Sequence, residues 1–170
     1  MAVTRCPSPP PSAFLGDLTR FPHWDSYEAP LRQGGLAMHE LYLALFAYQP
    51  RGFKQLLLVR DRIVAPFGLR PSGAGAPAEI KPAYAVGDKI VRFTLFSQND
   101  DEIVTGGDDK HLDFRVSVRR LREGGAERVT LTTVVSPHNL FGRAYLAAIL
   151  PFHRFGVRML LANAVEAGRI

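Results

Sequence analysis

HLDFRVSVRRLREGGAERVTLTTVV, residues 111–135, holds two β-rich runs on either side of a glycine pair. In its first half Leu112, Phe114, Val116 and Val118 alternate with His111, Asp113, Arg115, Ser117 and Arg119. A two-residue period of this kind sends one set of side chains to each face of a strand. REGGAE at 122–127 is the hairpin turn, because glycine takes positive φ without a Cβ penalty, and residues 128–135 return as the partner strand. Upstream, residues 90–97 and 102–105 are further β-rich runs, with GGDDK at 106–110 as the turn before His111. The whole stretch from 90 to 135 is therefore an antiparallel meander.

After Pro137 the period changes. HNLFGRAYLAAILPFHRFGVRMLLANAVEAG, residues 138–168, predicts the longest helix, with Leu140, Ala144, Ala147, Leu150, Phe155, Met159 and Leu160 on a broad apolar face. Asn139 is placed to cap it, and Pro151 removes a backbone donor and should bend it. Toward the N-terminus, helical spacing over 36–48 and again over 51–67 predicts two shorter helices, the second entered at Pro50 and ended by Pro66 and Gly68. The Gly- and Pro-rich run at 70–82 is a loop. HWDSYEAPL at 23–31 sets Trp24, Ser26 and Glu28 opposite Asp25, Tyr27 and Ala29, the pattern of an edge strand closed by Pro30. Residues 1–13 are Pro- and Ser-rich and read as a flexible tail, dispensable for folding, ahead of a single domain over 14–170.

Composition bounds what such a domain does. At 170 residues the chain is long enough to bury a core without disulfide or metal. Cys6 is the only cysteine, so no intramolecular disulfide or cysteine-rich metal site is available, and a reducing compartment fits. MAVTRCPSPPPSAFLGDL has no apolar core of signal-peptide length, which points to the cytoplasm. The apolar window 144–150 meets Pro151 far short of the roughly 20 residues a membrane span needs, so stable insertion is not expected. The formal charge of +5 would suit nucleic acid, but the basic residues are scattered, with only Arg119, Arg120 and Arg122 grouped and no aromatic-basic motif among them. Nucleic-acid binding is not expected.

The chemistry-bearing residues are few. Asp108, Asp109, Lys110, His111 and Asp113 form the densest polar group, yet the two aspartates sit where a turn needs its backbone capped. His111 and Asp113 share a strand face at i, i+2 and are close enough there to share a ligand or a water. Tyr145, Ile149 and His153 step by four along one side of the last helix, with Arg143 about a right angle away and His138 at its entry. His138 and His153 are too far apart in sequence for a helical metal pair, and no metal site or cofactor is expected. Neither a nucleophile elbow nor a phosphate loop surrounds any serine or glycine pair. Tyr145 and His153 as satisfied core or interface polar groups, each with its own hydrogen-bond partner, remain an alternative account of the helix residues.

Three stretches together carry a resemblance: GDDKHLDFRVSV at 107–118, TTVVSPHNLFGRAYLAAILPFHR at 132–154 and the helical block FKQLLLVRDRIVAPFGL. Over most of 21–165 the chain resembles the bacterial family of domain of unknown function 2867. That family is grouped with the helix-grip superfamily of lipid-transfer, polyketide-cyclase and hormone-binding proteins. The resemblance implies an α+β helix-grip fold, a curved antiparallel sheet wrapped around a long kinked C-terminal helix, with two helices near the N-terminus. It also implies a mostly apolar cavity between sheet and helix, and, from related fused domains, a nucleotide-binding dehydrogenase-like partner. The leading expectation is a domain that binds a small apolar molecule. His111, Asp113, Tyr145 and His153 fix its polar end, and Ile149, Arg143 and His138 lie alongside. A cofactor-free acid–base enzyme of cyclase or dehydratase type is the second reading. A protein or membrane docking module using the basic helix 154–169 is the third.

Overall fold

The computed structural model describes residues 3–8, 11–48, 50, 52–64 and 80–170. The expected helix stop at Pro66 and Gly68 and most of the loop at 70–82 lie outside them. The elements run β1 (Thr4–Arg5), a 3-10 turn (Leu18–Arg20), β2 (His23–Leu31), α1 (Met38–Phe46), α2 (Phe53–Val64), β3 (Lys89–Ile90), β4 (Phe93–Gln98), β5 (Glu102–Asp108), β6 (Leu112–Glu123), β7 (Ala126–Pro137) and α3 (Leu140–Glu166). The strands form one antiparallel sheet in the order β1-β2-β7-β6-β5-β4-β3. This is an α+β domain: a seven-stranded sheet and a long C-terminal helix.

Register follows the alternation of the sequence. Tyr27 pairs with Leu131, Leu131 with Val118, and Val118 with Ile103, a row of buried apolar side chains on the face toward the helices. Leu41, Tyr42 and Leu45 of α1 and Val157, Leu161 and Ala164 of α3 close the same core. Gly124 and Gly125 turn the β6–β7 hairpin with φ of 59° and 81°, as the two-residue loop demands.

Several boundaries differ from the sequence reading, each for a spatial reason. Residues 90–97 do not form one strand, because Val91 takes φ 57° in a tight turn that separates β3 from β4. Gly106 and Gly107 lie inside β5 rather than in a turn. A Cβ on Gly106 would stand 2.2 Å from the Phe114 carbonyl oxygen, so the strand needs glycine for close approach. The strand at 23–31 is not an edge: β1 flanks it on one side and β7 on the other, and Pro30 sits within it opposite Arg128.

The apolar face expected of the last helix is also displaced. Leu140 is 81% and Phe155 61% exposed, and Ala144 and Ala147 face solvent. Of the expected face Leu160 is buried, and the buried side runs otherwise through Gly142, Gly156, Val157, Leu161 and Ala164. Glycines set this rotation by permitting contact at backbone distance: a Cβ on Gly142 would lie 2.1 Å from the His111 carbonyl oxygen. The Asn139 cap forms as the sequence implies, its Oδ1 accepting from the Gly142 N–H at 2.9 Å. α3 is a single helix through Pro151.

The opposite face of the sheet is covered by the N-terminal segment. Leu18 is buried, while Cys6 N–H, donating to the Ser26 carbonyl, continues the β1–β2 ladder at the sheet edge. Within residues 1–13, Ser12 Oγ donates to Glu102 Oε1 at 2.5 Å and Ala13 N–H donates to Oε2 at 2.8 Å. Glu102 is 1% exposed, and Ser117 Oγ supplies a third donor at 2.6 Å.

Candidate functional site

The alternation of β2 that buries Tyr27 and Ala29 also turns Asp25 toward the helices, so a carboxylate stands on an apolar face. Thr133 of β7 lies beside it, and Val116 of β6 follows in the same row. α3 crosses above β2 and lowers His153 onto this point, with Nε2 3.3 Å from Asp25 Oδ1. His23, two residues back on the same face, brings its Nε2 to 3.5 Å from Oδ2. At that distance the His23 contact is electrostatic rather than an aligned hydrogen bond, and neither atom has another partner.

Asp25 is fully buried. Burial alone would push its carboxyl up, but the His153 hydrogen bond and the close contact of both imidazoles outweigh it and hold the group well below its ordinary range. The carboxylate in turn contributes, after burial, to a raised Tyr27 hydroxyl. His153 keeps 29% of its side chain exposed, so it links the enclosed carboxylate to the outside of the interface. Such a group can hold an imidazolium, fix an imidazole tautomer, or pass a proton between a bound molecule and solvent. Tyr42, on the same inner face, donates or accepts with Thr105 at 3.0 Å, and burial raises its hydroxyl strongly.

The sequence-derived site residues fall into two groups. His153 belongs to the Asp25 cluster, and Ile149 and Tyr145, one and two turns earlier on that side of α3, are half-buried. Asp113 is on the other face of the sheet and pairs with His138 at 3.0 Å. His111 just precedes β6, where its ring lies 4.4 Å from Phe141 and its Nδ1 3.2 Å from Asn139 Nδ2. His111 and Asp113 thus each engage the entry to α3, the first through Phe141 and Asn139 and the second through His138. Roughly 20 Å of helix separates that entry from His153, at 1.5 Å per residue. Arg143 is exposed. Asp109 accepts from His111 N–H, and Asp108 pairs with Arg115 at 2.5 Å, the turn and strand-end roles that weighed against a metal site.

His23 and Asp25 were not among the candidates. The signal was present, since an aspartate in register with Tyr27 and Ala29 is a charge on the buried face. Among the described residues no group of three or more His, Cys, Asp or Glu is placed to hold a metal ion. No described helix is long and apolar enough to cross a membrane.

Sheet, helix and buried carboxylate define an α+β domain with the Asp25–His153 contact beneath its last helix. Residues 18–160 match the profile of a family described as protein of unknown function, DUF2867. The chain belongs to that family. No curated protein matches it.

Proposed function

We propose that the domain is a helix-grip module that takes up a small, largely apolar molecule between the sheet and the first half of α3, with Asp25, His153 and His23 fixing its polar end. The observation that carries the reading is the buried Asp25 carboxylate, in contact with two imidazoles on the largely apolar helix-facing side of the sheet. A pair of this kind adds little net stability compared with apolar packing, and perturbed buried carboxylates concentrate at functional sites.

The two halves of α3 support the same location. Its second half is buried at Gly156, Val157, Leu160, Leu161 and Ala164. Its first half is buried only at Gly142, while Tyr145, Leu146, Ile149, Leu150 and Phe152 are half-buried. On the sheet Phe93 and Phe114, also half-buried, form an edge-to-face pair at 5.2 Å. Partly covered apolar walls with a few polar groups are the usual lining of a ligand site, and a bend at Pro151 would widen the gap.

Acid–base chemistry is the second reading, favoured by the contact between a buried carboxylate and a partly exposed imidazole. The test is uptake of N-phenylnaphthylamine, a neutral apolar fluorophore, by the intact chain and by Ile149→Trp. Uptake by the wild type that is lost in a folded Ile149→Trp supports the reading. Equal uptake by both, or none by either, removes it.

A further inference from the structure

Arg120 is 7% exposed, and among the described residues it forms no ion pair. It lies on the inner face of β6 beside Val129 of β7, which pairs in turn with Ala29. Its Nη2 donates to the Leu36 carbonyl, and its Nε meets no acceptor. A buried guanidinium without a countercharge is unusual, because charges taken out of water are normally paired. Arg122, two residues on, shows the contrast: Asp101 at 2.5 Å and Glu127 at 3.0 Å both pair with it, and neither carboxylate comes within ion-pair distance of Arg120.

Arg120 forms one wall of an open cleft of about 770 Å³, bounded otherwise by Leu36–His39, Gln98–Asp101 and Arg122. α1 begins at this cleft. Glu40 takes the Ala37 N–H at 2.7 Å, while the N–H groups of Met38 and His39 fall in the first helical turn, where no intrahelical acceptor exists. First-turn amides and the positive end of the helix dipole favour a negative group. Asp100 is exposed at the rim, and Asp101 pairs with Arg122, which it shares with Glu127, so these carboxylates set the charge against which an anion must compete for Arg120.

We infer that this cleft is an oxyanion-binding site, in which a carboxylate or phosphate group of a small molecule supplies the countercharge to Arg120 and is held by the first turn of α1. The site is separate from the Asp25 cluster: Ala29, in the row of Arg120, lies four residues along β2 from Asp25, roughly 13 Å at strand rise.

The experiment is a ¹H–¹⁵N NMR titration of the full chain with sodium phosphate and with sodium acetate, against sodium chloride at matched ionic strength. Saturable shifts are expected at the Met38 and His39 amides and at the Arg120 Nε–H. Saturation by phosphate alone identifies a phosphate group, by acetate alone a carboxylate, and by both a general oxyanion site. Arg120→Gln should abolish saturation. If that variant fails to fold, Arg120→Lys, which keeps the charge but loses the fork, should weaken binding several-fold, and the wild-type Nε–H signal remains a direct reporter. Shifts no different from those with chloride, or unchanged binding in Arg120→Gln, overturn the site.

Discussion

Deleting residues 1–13 should destabilise the domain, although their composition suggests a dispensable tail. The deletion removes the Ser12 hydroxyl and the Ala13 N–H from Glu102, a carboxylate 1% exposed, and leaves only Ser117 Oγ on it. Hydrogen bonds to a charged group are worth about 1.5–3 kcal/mol each, so the two lost bonds sum to about 3–6 kcal/mol. Water entering the opened site recovers part of this, giving an expected net loss of about 2–4 kcal/mol. For a chain of this size each kcal/mol lowers Tm by about 2–4 °C, so a chain starting at Phe14 should melt roughly 10 °C below the intact protein. Calorimetry measures the shift, and a double-mutant cycle with Glu102→Gln assigns it: truncation should cost distinctly less once the carboxylate is an amide. A truncated chain melting within about 2 °C of the intact one, under 1 kcal/mol on the same scale, would refute the reasoning.

Gly142→Ala should cost about 1–3 kcal/mol in urea unfolding, an overpacking penalty, because the new Cβ meets the His111 carbonyl at 2.1 Å; a neutral effect would mean that the helix entry shifts freely. Phe114→Ala should cost about 1–3 kcal/mol, below the range for a fully enclosed phenylalanine, since Phe114 is half-buried; a loss under about 0.5 kcal/mol would mean that its contact with Phe93 contributes nothing. Asp25 has a folded-state pKa depressed below its ordinary 3.8, so its contribution is complete above that value and is lost as pH falls through the depressed one. Asp25→Asn should therefore flatten the acid limb of the stability–pH curve below about pH 4. An unchanged acid limb would show that the carboxylate does not set it.

How much of this was legible in the sequence depends on whether a feature is local. The alternation of residues 112–118 fixes which side of β6 meets the core, and the pairing of Val116 and Val118 with Thr133 and Leu131 follows it. Asn139 as helix cap is equally local. The rotation of α3 was not legible from its apolar count, because the close approach at Gly142 helps decide its buried side and glycine carries no hydropathy signal. Gly106 and Gly107 have the composition of a turn, and only the nearness of Phe114 across the ladder explains them within a strand. At the site, His153 was visible from its helical stepping with Tyr145 and Ile149. Its partner stands 128 residues away in a strand whose inward carboxylate drew no notice beside the conspicuous aspartates of the β5–β6 turn.

Native mass spectrometry of the freshly purified chain tests the central claim most directly, because a molecule held between sheet and helix should survive gentle desalting. The account predicts a species heavier than the bare chain by one small molecule. That species should disappear in Ile149→Trp, which fills the space, and diminish in Asp25→Asn, which removes the polar anchor. A single species at the bare mass, together with a chain that takes up no apolar fluorophore, would contradict it.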